Sequence, residues 1–325
     1  MSAKPVNSAR HESAGGVPAV SVVIPTTGRW ARLVTAVGCA LAQEGVPTEV
    51  VVVIDGPAAR EWKSVDALRR PGVRVLASPE KSGVADARNR GVAAAHAAHV
   101  AFLDDDDLWA PDKLARQLAA MRAAPEAIFG YASSVVLDAH LNVRWAEYAP
   151  AADELRRHAL ANNPIPACSS NLIVRADVAR DVAFDPSLMH FADWDFALRL
   201  IDAGAGAPCH EQLVGYVWHD ESMHVVRLEG VDKEFRRFRA KHAARGVRVG
   251  APSQSRWVAG SYRESGRRWR ASGVYLRGAV RYRSAPDLLR AVGVLLGERA
   301  MGLAPSSRER TVRNGGDPAW LALYR

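Results

Sequence analysis

Four consecutive aspartates, Asp104 to Asp107, follow directly on the apolar run Val100-Ala101-Phe102-Leu103, with Pro111 shortly after them. Such a run reads as the end of a buried strand, and a proline in the first turn marks a helix, expected here to reach about Met121. The acidic cluster therefore occupies a strand-to-helix turn. A folded chain keeps four adjacent carboxylates only where something cationic neutralises them. In open α/β sheets ligands bind outside the carboxyl ends of the strands, and oxygen ligands placed there suit a divalent ion bridging substrate phosphates. The alternative for the same run is a solvated acidic turn with one aspartate capping the helix.

The chain before this turn repeats one pattern. Val20-Ser21-Val22-Val23-Ile24-Pro25 is a short β-rich run ended by Pro25, and Thr26-Thr27-Gly28-Arg29 turns into a helix from Trp30 to Ala42. A second buried strand runs from Glu49 to Ile54 and is closed by Asp55-Gly56-Pro57. Val73 to Leu76 reads as a third strand, Gly83 to His96 as a helix, and His99 to Leu103 as a fourth strand. Strands alternating with helices imply an α/β fold with a doubly wound, mostly parallel sheet. Residues 1–18, rich in Ser, Ala and Gly, read as a disordered leader, residues 19–230 as the main domain and residues 231–325 as a helical C-terminal extension. With 325 residues and 48% hydrophobic content, the chain is long enough for one large α/β core and an appendage.

Charge separates the two parts. The net charge is +8, yet residues 231–325 carry 21 Lys+Arg against 7 Asp+Glu, and residues 1–230 balance to −6. The basic segment holds Trp257, Tyr262, Trp269, Tyr275 and Tyr282 among its arginines, and Leu288-Leu289 through Leu295-Leu296 forms an apolar helical stretch. Two readings stay open for it: a peripheral face for anionic lipid, or a helical cap with a solvated basic surface. Nucleic acid is not the expected partner. No stretch approaches the length needed to span a bilayer, and Cys39, Cys168 and Cys209 are odd in number, widely spaced and without a CxxC pair. The expected location is the cytoplasm, with attachment to the inner face of a membrane as the variant that the basic tail allows.

Several chemistries are excluded at motif level. No strand is followed by GxGxxG, nowhere does GxxxxGK[ST] occur, and Asp202-Ala203-Gly204-Ala205-Gly206 lacks the third glycine. HExxH, GxSxG and the kinase HRD signature are also missing. What remains is a nucleotide site built from strand-end carboxylates and a cation.

Five blocks, VSVVIPTTGR, EVVVVIDGP, SGVADARNRG, VAFLDDDDLWAPDKL and FADWDFALRL, resemble in order and spacing the inverting glycosyltransferases of family two, which have the GT-A fold. The resemblance covers about Val20 to Arg227. It implies transfer of a hexosyl group from a nucleoside diphosphate sugar, UDP-linked, to a hydroxyl acceptor such as a sugar, a lipid-linked glycan or a small molecule. Inversion at the anomeric carbon and assistance by Mn²⁺ or Mg²⁺ are part of the same implication. Asp55 is carried over to the nucleoside, Arg88 to the donor diphosphate, Asp104 to the ribose, and Asp106 to the metal, with Asp105 in the middle position and Asp107 a further candidate ligand. Pro25, Thr26, Thr27 and Arg29 line the first loop, where backbone donors and a guanidinium suit base and phosphate. Asp193 matches the catalytic carboxylate, while Asp195 is assigned to capping the same helix. Ala192 departs from the pattern at a position that is often Glu, which bears on acceptor contacts. His219, in Val217-Trp218-His219-Asp220, resembles a late histidine that reaches the metal or diphosphate, and Cys168-Ser169-Ser170-Asn171 falls where an acceptor loop is expected. His96 and His99 straddle a helix-to-strand junction and are assigned to the surface.

Two rival readings remain. A sugar-phosphate nucleotidyltransferase would need a glycine-rich basic phosphate loop near the N-terminus, which VIPTTGR does not provide. A non-catalytic sugar-nucleotide-binding protein would use the same pocket, and the intact Asp104, Asp106 and Asp193 argue against it.

Overall fold

Apolar side chains on both faces of β1 (Val20–Thr26) and β2 (Thr48–Asp55) require a layer of helices on each side of the sheet. Val22, Ile24, Val50, Val52 and Ile54 enter one core, while the alternate Val23, Val51 and Val53 enter the other. The computed structural model describes residues 18–159, 162–219, 230–245, 252–297 and 317–325. After β1 come α1 (Trp30–Leu41), β2, β3 (Val73–Ser78), α2 (Val84–Ala94), β4 (His99–Phe102), β5 (Leu108–Trp109) and α3 (Lys113–Ala123). There follow β6 (Ala127–Leu137), β7 (Val143–Glu147), α4 (Leu155–Ala159), β8 (Ile173–Arg175), α5 (Ala176–Val182), α6 (Ala192–Ala203) and β9 (Ala205–Val217). The C-terminal helices are α7 (Val231–Lys241), α8 (Pro252–Glu264), α9 (Arg268–Tyr282) and α10 (Ala285–Leu296).

The sheet runs β3-β2-β1-β4-β8-β6-β9-β5, with β7 beside β6. Its first four strands are parallel, as the alternating pattern implies. The short β8 then joins antiparallel to both β4 and β6, and β6 pairs in parallel with β9, so the sheet is mostly parallel but mixed. From β1 the chain moves to β2 on one side and later to β4 on the other. That reversal opens a crevice at the carboxyl ends of β1, β2 and β4.

Pro25 does not end β1, which pairs with β2 through Thr26. The carbonyl of Val23 faces β4 and accepts from the Leu103 N–H at 3.1 Å. Pro25, two residues on, turns its nitrogen to the same flank beyond the last β4 residue, so its missing N–H leaves no ladder bond unmade. Helix α2 crosses β1 closely at Gly91, where a Cβ would lie 2.3 Å from Val23 Cγ1.

The C-terminal segments return to the main cores. Phe238 of α7 is fully buried and packs on Trp194 of α6 with ring centres 4.6 Å apart. In residues 317–325, Leu321 is fully buried in the core beneath α1 and α3, and Tyr324 Oη donates to the Trp109 carbonyl at 2.8 Å. Helices α8, α9 and α10 form a layer with a smaller core of Ala259, Ala271, Tyr275, Ala291 and Val294.

Candidate active site

The crevice at the strand ends holds a cavity of about 540 Å³. Pro25, Thr26, Thr27, Arg29, Asp55, Arg88, Asp104, Asp105, Asp106 and Asp193 all line it, so residues from five separate sequence blocks meet in one place.

Three of these side chains are held by bonds within the protein. Asp55 accepts from the Ser82 N–H and Oγ at 2.8 and 2.9 Å and from the Gly83 N–H at 2.9 Å. It thereby fixes the loop that starts α2 at the cavity edge. Arg88 is buried and extends Nη2 to Asp104 Oδ1 and Nη1 to Asp193 Oδ1, each at 2.7 Å. Its two terminal nitrogens are thus bonded to carboxylates rather than turned to an open phosphate site. Asp105 is held by Thr26 Oγ1 and by the Arg29 guanidinium, which also reaches Asp106 Oδ2 at 2.9 Å. Burial and the neighbouring Asp106 outweigh Arg29 and push the Asp105 carboxyl up to about 6.

Asp107 stands outside the cavity lining. It is buried, and Oδ1 accepts from the Val217 N–H at 3.0 Å at the end of β9. That bond ties the acidic turn to the strand leading into His219, whose Nε2 lies 2.9 Å from Asp106 Oδ2. Asp107 is therefore a brace, and Asp106 with His219 is the pair that meets. Burial pushes Asp106 up, but the hydrogen bond from His219 and the charge of Arg29 hold it below the ordinary range. Among the described residues no three His, Cys, Asp or Glu side chains gather as a metal cage. His219 is not on the cavity lining and its Nε2 is engaged by Asp106, so of the two it is Asp106 that faces the cavity; carboxylate and imidazole are nevertheless the donor types that suit a divalent ion beside a diphosphate, imidazole favouring Mn²⁺ over Mg²⁺.

Asp193 lies in the first turn of α6 with its side chain 20% exposed to the cavity. Burial and the nearby Asp104 raise its carboxyl above the ordinary range against the pull of Arg88. Asp195, two residues on, is not a cap. The helix begins at Phe191 without a side-chain cap, and Glu234 of α7 supplies the anion there, accepting from the Met189, His190 and Phe191 N–H groups at 2.7 to 2.9 Å. Asp195 points to the opposite side, fully buried, and meets Arg199, Lys241 and His242 at 2.6 to 2.8 Å.

The loop Cys168–Asn171 braces the acidic turn. Asn171 is fully buried, and its Nδ2 donates to the Ala132 and Pro166 carbonyls while Oδ1 accepts from the Ala132 N–H. Ser170 Oγ then accepts from the Asp104 N–H at 3.0 Å, and the Ser170 carbonyl accepts from Trp109 Nε1 at 2.8 Å. Ala167 and Cys168 enter this loop at φ +53° and +51°, a left-handed backbone uncommon for side chains of their type.

The cavity wall away from β2 is aromatic. Trp145 of β7 and Trp218 meet edge to face with centres 5.0 Å apart, and Trp194 of α6 and Trp257 of α8 add two further indoles to the lining. Glu147 lies beside them and accepts from Trp145 Nε1 and the Ala167 N–H at 3.4 Å each. Lys81 brings a cation to the wall near Asp55. Lys81, Trp145 and Glu147 were not singled out from sequence, because their signal is spatial: an isolated lysine, tryptophan or glutamate has no diagnostic spacing.

A mixed sheet with helices on both faces, carrying strand-end carboxylates in a switch-point crevice, defines the GT-A class of glycosyltransferase. Residues 21–183 match the family model for glycosyl transferase family 2, and the chain belongs to that family. The structure is similar to S. aureus TarS 1–349 in complex with UDP-GlcNAc, with TM-score 0.58 and 17% identity over 90% of this chain and 83% of that one. In sequence, the chain is 41% identical over 108 residues to the succinoglycan biosynthesis protein ExoO of Rhizobium meliloti, covering 33% of this chain and 31% of ExoO. It is 25% identical over 190 residues to the putative colanic acid biosynthesis glycosyl transferase WcaA of Escherichia coli, covering 57% of this chain and 66% of WcaA. The chain therefore spans less than two-thirds of the length of either relative.

Proposed function

We propose that the protein transfers a hexosyl group from a UDP-linked sugar to a hydroxyl acceptor by metal-assisted direct displacement. The observation that carries this reading is the cavity in which Asp104, just after β4, meets Asp193 of α6 through the shared Arg88, with Asp106 on the same lining. Family membership and the likeness to a fold solved with UDP-GlcNAc support a nucleotide-sugar donor.

Each wall of the cavity has a task in this reaction. Pro25, Thr26, Thr27 and Asp55 surround the nucleoside, and Asp104 takes the ribose. Lys81 and the first turn of α2, with Val84 and Ala87 on the lining, face the diphosphate, where the positive end of the helix dipole favours negative charge. Asp106 and His219 are the residues that would hold a divalent ion, and such an ion neutralises charge on the departing diphosphate. Arg88 fixes the distance between the donor side and Asp193. Asp193 accepts the proton of the acceptor hydroxyl as that oxygen attacks the anomeric carbon from the face opposite the diphosphate.

The aromatic wall suits a pyranose acceptor, whose C–H face stacks on an indole. Among the described residues the Glu147 carboxylate makes long contacts of 3.4 Å, which leaves it capacity for an acceptor hydroxyl. It offers a carboxylate where Ala192 offers none.

Thermal unfolding with a panel of UDP-sugars, with and without Mn²⁺, tests the reading, because a ligand bound only to the native state raises Tm. The expected result is a Tm increase that needs both sugar nucleotide and Mn²⁺ and disappears in a folded Asp106→Asn variant. An undiminished Mn²⁺-dependent increase in that variant contradicts the assignment of Asp106.

A further inference from the structure

Helix α10 is built inside out. Its charged residues Asp287 and Arg290 face inward, where Asp287 Oδ1 accepts from Arg256 Nε of α8 and from Arg290 Nη1, both at 2.7 Å. Every exposed residue of the helix is apolar, and Leu288, Leu289, Val292, Leu295 and Leu296 form one face at helical spacing. Leu289 is 63% exposed and Leu296 is 74% exposed. On the antiparallel neighbour α9, Trp269, Leu276 and Val280 recur at the same periodicity, Trp269 being 80% and Val280 76% exposed. One position further round α9 run Arg270, Arg277 and Arg281, all exposed. From Arg267 through Arg283 there are six arginines, both ends included, and no acidic residue.

An apolar face of this extent in contact with water marks an interaction site. The charge around it selects the occupant. A second copy docked on the same face would bring two arginine stripes together, whereas an anionic surface is complementary to them. At 12 residues, α10 is about 18 Å long at 1.5 Å per residue, short of the ~30 Å hydrocarbon core. No helix among the described residues is long and apolar enough to cross a membrane. The geometry therefore fits a helix lying along an interface rather than one spanning it.

We propose that α9 and α10 form a docking face for an anionic membrane surface, with the α10 leucines entering the acyl boundary and the α9 arginines on the headgroups. Helix α8 packs against α9, joins α10 through Arg256 and also presents Trp257 to the cavity, so the docking layer is continuous with one element of the cavity lining. This assignment goes beyond the transfer reaction and does not depend on it.

Sedimentation of the full-length protein with phosphatidylglycerol vesicles, and separately with phosphatidylcholine vesicles, is the test. Binding to phosphatidylglycerol at low salt, at least tenfold weaker at high salt or with phosphatidylcholine, is expected. A Leu289→Ser, Leu296→Ser double variant changes only exposed positions and is expected to lower vesicle binding at least tenfold with an unchanged melting temperature. The proposal is overturned if the protein does not sediment with phosphatidylglycerol, or if the double variant binds as well as the parent. It is equally overturned if light scattering shows that the two leucines hold a dimer and contribute nothing to vesicle binding.

Discussion

At the scale of single residues, Asp193 and Asp195 show how two positions on one helix divide between the cavity and a buried joint. Their side chains leave α6 in different directions, one to the cavity and Arg88, the other into a buried joint with α7. Asp193→Asn keeps the shape and a hydrogen-bonding group but removes the base. Transfer is expected to fall by about a hundredfold or more, the usual scale for a positioned general base, with donor binding retained. Turnover assays and calorimetric donor titration check both halves. The pH dependence has a definite sign. A general base acts only when ionised, and the Asp193 carboxyl is raised above the ordinary range by burial and Asp104. Activity should therefore be lost as pH falls, with an acid limb centred above the ordinary carboxylate pKa of about 4. A limb centred below that value in the wild-type enzyme, or full turnover by Asp193→Asn, contradicts the role.

At the scale of elements, the α6–α7 joint should behave as a stability device. Burial pushes Asp195 up, but its bonds from His242, Lys241 and Arg199 outweigh that and hold it below the ordinary range. A carboxyl lowered in the folded state contributes stability that is complete above the unfolded pKa of about 4 and is lost as pH falls through the folded value. Asp195→Ala leaves His242 and Lys241 facing a buried void, and its cost should be about 3–5 kcal/mol at pH 7, read from denaturant unfolding. The difference between parent and variant should shrink in acid. A variant with parental stability and lost transfer would place Asp195 in the chemistry instead. This joint was not legible in the sequence, since an aspartate near a helix start is most simply read as a cap, whereas two of its three partners, Lys241 and His242, lie over forty residues away. The strands β1 to β4 and the acidic turn were legible because continuous apolar runs and a local charge cluster carry their own signal. The three-residue β8 is too short for a periodicity, and the parallel pairing of β6 with β9 depends on contacts remote in sequence. Asp107 shares the charge of its neighbours, and only the Val217 N–H that it meets separates a brace from a ligand.

At the scale of the whole molecule, the described parts of the basic C-terminal segment are woven into the main domain. Helix α7 supplies the anion for the start of α6, α8 lines the cavity, and residues 317–325 close the core beneath α1 and α3. Leu321→Ala should therefore destabilise the main domain by about 2–5 kcal/mol, the scale for emptying a buried leucine site, in chemical denaturation followed by tryptophan fluorescence. A change below about 0.5 kcal/mol would mean that the last residues only rest on the surface. In the proposed reaction direct displacement takes place in this cavity, with Asp193 facing the acceptor and Asp106 with His219 on the diphosphate side. The measurement that tests it most directly is the anomeric configuration of the product formed from an α-linked UDP-sugar, read by the proton coupling across the anomeric carbon. A β-linked product is predicted. An α-linked product, with configuration retained, would contradict the account.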